Sequence, residues 1–219
     1  MSNPKQHHFV PQVYLRNFCA DSIRSQLYFL DIVSETTSFT NIRNVAKEKD
    51  FYTDVSLEEK CFYEHFFSTD VEPKLGHVID RIVSSSVLSV SNSTIISEGD
   101  RKKLSELLVY QMLRTRKARD FMRVKTDSIS GFFIDNLVLS PLFQSNAEYR
   151  SIAEKYRVLT EDVFKEISLP IMTDETRVKK FSSILDEMLC MLYVNRTAVG
   201  FITGDNPVII KRLFSNQIG

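Results

Sequence analysis

The sequence predicts a mostly helical α+β domain: a helical bundle with a small β-hairpin or sheet formed by an N-terminal segment (26–40) and a C-terminal segment (190–212). Three observations carry that expectation. Apolar residues recur at three- and four-residue spacing through the middle of the chain, the mark of helices with one buried face. β-formers gather instead near the two ends, in QLYFLDIV (26–33) and MLYVNRTAVGFIT (191–203). Gly and Pro number only six each in 219 residues, which leaves no flexible linker. The chain therefore reads as a single domain, 1–219, with an N-terminal segment (1–55), a helical body (56–189) and C-terminal strands (190–219).

The elements follow in order. KQHHFVPQVYLRNF (5–18) places Pro11 at the start of a short helix whose buried face is Tyr14, Leu15 and Phe18. QLYFLDIV and ETTSFTNI form a hairpin, and NVAKEKDFYT (44–53) continues it as a helical turn and an extended piece. Ser56 with Glu59 is a capping-box pair that predicts a helix through about Phe67. A second helix starts from Asp70 as N-cap with Pro73 in its first turn, and Val71, Leu75, Val78, Ile79, Ile82 and Val83 form its stripe. SSSVLSVSNST (84–94) reads as a loop. Ser97 with Asp100 opens a long central helix reaching about residue 126. Shorter helices are expected at 128–138, 146–157 and 160–167, and a longer one at 174–188. Asn195–Arg196 turns between two final strands. The apolar run VIIKRLF (208–214) lies close to the last residue, Gly219, and a β-rich segment begun so late predicts a partner strand beyond it.

Lys plus Arg equals Asp plus Glu at 28 each, so no net charge pulls the chain toward nucleic acid or a membrane surface. Cys19, Cys61 and Cys190 show neither metal-type spacing nor an even count, a pattern suited to a reducing compartment. MSNPKQHH has no apolar signal region, and GFFIDNLVLSPLF (131–143) is too short and too interrupted to span a bilayer. A cytoplasmic protein without membrane involvement is expected.

Several polar residues stand out. His7 and His8 are half of the four histidines. Adjacent residues of an extended chain point to opposite sides, so both rings would not ligate one metal; one can serve as base or ligand while the other packs. Position alone favours exposed terminal or helix-capping groups. In LVYQMLRTRKARD (108–120), Gln111 falls on the apolar stripe and Arg114 at its edge, where an unpartnered polar group would cost roughly 1–3 kcal/mol. Both therefore demand specific partners. Arg116 and Arg119 form either a solvated basic face or a phosphate-facing patch. Glu64 lies in the arc of Leu57, Cys61 and Phe67, and Glu72 flanks Leu75 and Ile79. Each is a metal ligand, a general base, or the partner of Arg114. TGDNP (203–207) presents Asp205 and Asn206 on a rigid turn.

Together, KQHHFVPQVYLRNF, DFYT, YQMLRTR and FITGDNPVI resemble the bacterial family known as domain of unknown function 4238, in the right order over nearly the whole chain. The resemblance gives weight to the His pair, to a Gln and an Arg in the central helix, and to a Ser-Asp-Asn-Pro turn. These fall here on His7, His8, Gln111, Arg114, Asp205 and Asn206, with Gly204 where the family commonly has Ser. It implies no established activity. HHFVP is also similar to the opening of His-Asn-His nucleases, but the downstream Asn and His of that motif are missing.

Two readings of different class follow. In the first, the chain is a metal-dependent phosphodiesterase or nuclease effector, by analogy one used in phage defence. Its catalytic set is His7, His8, Gln111, Arg114, Asp205 and Asn206. Glu64 and Glu72 hold a divalent metal, Arg116 and Arg119 bind substrate, and nucleic acid is the partner. In the second, the same cluster is a structural hydrogen-bond network inside a non-catalytic module that binds protein or nucleic acid.

Overall fold

Extended residues 6–8 alternate exposed, buried and half-buried, and this alternation decides how the chain starts. The computed structural model describes residues 5–88 and 96–209. Strand β1 (Gln6–His8) pairs antiparallel with β4 (Lys47–Lys49), placing His7 opposite Glu48 and His8 opposite Lys47. Between them β2 (Gln26–Asp31) and β3 (Thr36–Asn41) make the expected hairpin, in register from Gln26–Asn41 to Asp31–Thr36. Its turn is shaped by the Asp31 carboxylate, which accepts from the Val33 and Ser34 N–H groups at 2.9 and 3.2 Å. The architecture is mostly helical α+β, with two small two-stranded antiparallel sheets.

Both sheets come from the first fifty residues. The C-terminal strands expected over 190–212 are absent among the described residues: 190–209 has no regular secondary structure, and 210–212 lie outside the described residues. β-forming composition specifies a fit to a pleated surface, and among the described residues this segment meets no strand.

The helical body also departs from the expected breaks. Ser56 does not cap a helix, because the Asp54 carboxylate binds both its N–H (2.9 Å) and its hydroxyl (2.6 Å). Helix α2 (Phe62–Phe66) starts later and runs through a π-helical turn (Phe67–Val71) into α3 (Glu72–Leu88), with no break at Asp70. Pro73 removes an N–H and would crowd the carbonyl four residues back, and a widened turn directly before it accommodates the ring. α3 runs through Ser84–Leu88, where a loop was expected; 89–94 lie outside the described residues.

Ser97 does cap α4 (Glu98–Leu113), accepting from Asp100 N–H at 3.1 Å. The long central helix is two helices, however. α4 ends at Arg114, and α5 (Arg116–Val138) starts afresh, with the Thr115 hydroxyl accepting from Ala118 N–H at 3.3 Å. α6 (Pro141–Ser145), α7 (Ala147–Arg157), α8 (Glu161–Thr173) and α9 (Glu175–Asp186) follow. A single core gathers Phe9 and Val10 from the N-terminal segment with Tyr52, Phe67, Leu107, Tyr110, Leu169 and Val178. Near the start, α1 (Gln12–Leu15) lies on α3, and an added Cβ on Gly76 would sit 2.8 Å from Val13 Cγ2. Among the described residues no helix is long and apolar enough to cross a membrane.

Candidate functional site

The β1–β4 pairing carries the His pair inward rather than leaving it at an exposed terminus. His7 is fully buried, its ring stacked on Tyr52 (centroids 5.8 Å apart, planes at 6°), and its Nδ1 accepts the Tyr52 backbone N–H at 2.8 Å. His8 faces the other way, as strand alternation requires. Its ring bonds the backbone of Arg43, while Nε2 is buried and has no hydrogen-bond partner. By exclusion Nδ1–H donates to the Arg43 carbonyl, which leaves a lone pair on Nε2. Burial holds the His8 pKa below its ordinary 6.5, against an opposing pull from Glu72.

Arg114 is the hub. Its backbone lies at φ −87° and ψ 1°, the sparsely used bridge region, because α4 ends there. That turn drives the side chain inward until it is 1% exposed. Nη2 donates to His8 O (2.5 Å) and Glu72 Oε1 (2.9 Å), and Nε donates to the Tyr52 hydroxyl (3.1 Å). That hydroxyl in turn donates to Arg114 O at 3.1 Å. The guanidinium lies over the Phe67 ring at 4.5 Å and the Tyr52 ring at 5.6 Å, where cation–π attraction replaces lost hydration. Burial opposes the charge, but Tyr52 and Glu72 outweigh it and hold the pKa above its ordinary value. Burial pushes the Tyr52 hydroxyl up to about 12, against Arg114.

Gln111, one turn before Arg114, donates Nε2–H to Phe9 O at 3.0 Å. Glu64, at the start of α2, faces Arg114 and Glu72; burial lifts its carboxyl from 4.5 to about 7, with Arg114 opposing and Glu72 reinforcing. Four buried polar atoms have no hydrogen-bond partner among the described residues: His8 Nε2, Glu64 Oε2, Gln111 Oε1 and Arg114 Nη1. All four belong to residues of this one neighbourhood.

Not every expected residue joins it. Asp205 is exposed and Asn206 half-buried, and no hydrogen bond or ion pair links either to the Arg114 group among the described residues. The C-terminal segment meets the N-terminal one elsewhere, through the Thr203 and Tyr14 hydroxyls at 2.9 Å. Arg116 and Arg119 clamp the Glu48 carboxylate at 2.9 and 3.1 Å, and Arg119 also bonds Glu161. They lie over the Phe9 and Phe51 rings, at 4.8 and 4.5 Å. No group of three or more His, Cys, Asp or Glu side chains that could hold a metal ion forms among the described residues. Of the two carboxylates expected as metal ligands, Glu72 is the ion-pair partner of Arg114 and Glu64 is the carboxyl raised by burial.

Sequence reasoning missed Tyr52 and Phe67 as parts of the site. A signal for Tyr52 existed in DFYT, the short aromatic piece that accompanies the His pair in the family resemblance. Phe67 carried none, since it reads as ordinary core.

The fold and this centre define a helical α+β protein organised around a buried His–Glu–Gln–Arg cluster. Residues 6–218 match the family described as protein of unknown function (DUF4238), and the chain belongs to that family. No curated protein and no solved structure matches it.

Proposed function

We propose that the chain is a hydrolase acting on phosphodiesters, with His8 as base, Glu64 as acid and Arg114 as the group that holds the phosphoryl oxygens. The observation that supports this reading is the set of four buried, unpartnered polar atoms on His8, Glu64, Gln111 and Arg114. Each such group costs roughly 1–3 kcal/mol, so four together cost on the order of 4–12 kcal/mol. That approaches the whole stability of a domain, about 5–15 kcal/mol. A purely structural network would be expected to close on itself. Here the open positions are completed from outside the chain, by water at rest and by substrate oxygens in turnover.

The chemistry follows from the protonation states. A neutral His8, with its lone pair on Nε2, takes a proton from water as the water oxygen bonds to phosphorus. The bond from phosphorus to the leaving oxygen breaks, and Glu64, still partly protonated near neutral pH, supplies that oxygen's proton. The products are a phosphomonoester and an alcohol. Two groups shifted in opposite directions from their ordinary values suit this division of labour. Arg114 Nη1 is free to donate to a non-bridging oxygen as negative charge builds there. Among the described residues Glu64 and Glu72 gather no third metal ligand, so no step is assigned to a cation. A bacterial nuclease effector acting in the cytoplasm is the setting we assign.

A second reading has its own support. Arg114 and Gln111 bond the backbone carbonyls of His8 and Phe9, which fastens the N-terminal segment to α4 as a structural lock would. The two readings separate in one experiment. Wild type, His8→Ala and Glu64→Gln are assayed on single- and double-stranded nucleic acid and bis(p-nitrophenyl) phosphate, with Mg²⁺, Mn²⁺ or EDTA, and melting temperatures are recorded. Hydrolysis lost by about a hundredfold or more in variants whose melting temperatures fall by no more than a few degrees supports the enzyme. No wild-type turnover on any substrate, with a melting temperature that drops in the variants, supports the lock.

A further inference from the structure

A groove of about 450 Å³ runs between α1 and α3. Its wall on α3 includes Glu72, Gly76, His77 and Asp80, and Arg16 and Asn17 face them from the other side. Glu72 belongs to the groove and to the buried cluster at once, because the same carboxylate is the ion-pair partner of Arg114 at 2.9 Å. Behind it lies Arg114 Nη1, buried and unpartnered. The carboxylate–guanidinium pair is therefore where the groove ends and the cluster starts.

We infer that the substrate approaches through this groove and displaces the Glu72 carboxylate from Arg114, so that the site takes a phosphoester of mononucleotide size and excludes the double helix. This rests on the phosphodiesterase reading above. A guanidinium fork binds carboxylate and phosphate oxygens by the same geometry, so Glu72 stands where a phosphoryl oxygen would lie. The volume falls within the roughly 300–1,000 Å³ of small-molecule sites. The close approach of Gly76 to Val13 narrows the helix pair at that level. Charge argues in the same direction. Duplex binding rests on several Lys and Arg side chains neutralising phosphates, whereas the groove lining carries Arg16 together with the acidic Asp80 and Glu72, and Arg116 and Arg119 are engaged by Glu48 and Glu161. His77, exposed on the groove wall, offers a flat ring for the base or leaving group.

The test compares kcat/KM of the full chain on the p-nitrophenyl ester of thymidine monophosphate and on a short DNA duplex, for wild type and His77→Ala. Inorganic phosphate binding by calorimetry is measured for wild type and Glu72→Gln. The expected result is a preference for the small ester of about tenfold or more, lost in His77→Ala at unchanged melting temperature. Phosphate should also bind several-fold tighter to Glu72→Gln, which no longer has a carboxylate to displace. Duplex cleaved as fast as the small ester, with His77→Ala silent, overturns the groove while leaving the hydrolase reading intact. Absence of hydrolysis on every phosphoester, with no phosphate binding, overturns both.

Discussion

Glu64→Gln isolates the carboxyl on which the acid–base reading depends. Burial raises its pKa from 4.5 to about 7, with Arg114 opposing and Glu72 reinforcing. A carboxyl whose folded pKa is raised stabilises the fold fully below its unfolded value and loses that contribution as pH rises through about 7. The rise corresponds to roughly 3 kcal/mol at 1.36 kcal/mol per pKa unit, and partial solvent access reduces it to about 1–3 kcal/mol. Gln cannot ionise, so the variant lacks this loss. Urea denaturation of both proteins from about pH 4 to pH 8 should give a difference curve that is flat below about pH 5 and climbs through neutrality. It should end with the variant more stable by about 1–3 kcal/mol. In the same range, wild-type hydrolysis should fall above about pH 7 as Glu64 loses its proton, and below the lowered His8 pKa as that base is protonated. Parallel stability curves would place the Glu64 titration at an ordinary carboxyl value, which leaves no proton for Glu64 to supply near neutral pH.

The two histidines should separate by role. His7→Ala removes the acceptor of the Tyr52 N–H and a stacked, buried ring, and denaturation should show a loss of about 2–4 kcal/mol. His8→Ala removes one ring hydrogen bond, to the Arg43 carbonyl, and keeps the backbone bond to Arg114, so it should cost about 1 kcal/mol yet abolish turnover. Gln111→Leu strands the Phe9 carbonyl and should lower stability by about 1–2 kcal/mol in the same assay. Gly76→Ala drives a methyl against Val13 Cγ2 and should destabilise by about 1–3 kcal/mol, with most of that recovered in the Gly76→Ala/Val13→Ala double variant.

Much of the centre could be read from residue type and spacing, for a physical reason. Gln111 and Arg114 were conspicuous because polar side chains on an apolar stripe must find partners, and they do, in Phe9 O, His8 O, Tyr52 and Glu72. The hairpin followed from strand composition flanking a turn, and Ser97 from its capping geometry. What escaped depended on tertiary context. Thr115 restarts a helix without Gly or Pro to announce it, so the break that turns Arg114 inward left no local mark. The π turn before Pro73 keeps one helix continuous where capping rules placed two. Among the described residues the β-forming run after Cys190 pairs with no strand, and β preference without a neighbouring strand does not specify a sheet. Asp205 was grouped with the His pair by family pattern, and its exposed position leaves it outside the buried cluster.

The most direct measurement is an NMR titration of the full chain with inorganic phosphate, following the histidine ring resonances and the Arg114 guanidinium. If the open positions around Arg114 receive an anion, saturable shifts should appear at His8 and Arg114 while His65, which is bound to Glu59 at 2.7 Å, stays still. Unchanged His8 and Arg114 signals at saturating phosphate would mean that the cluster binds no phosphate, and that it is only a lock.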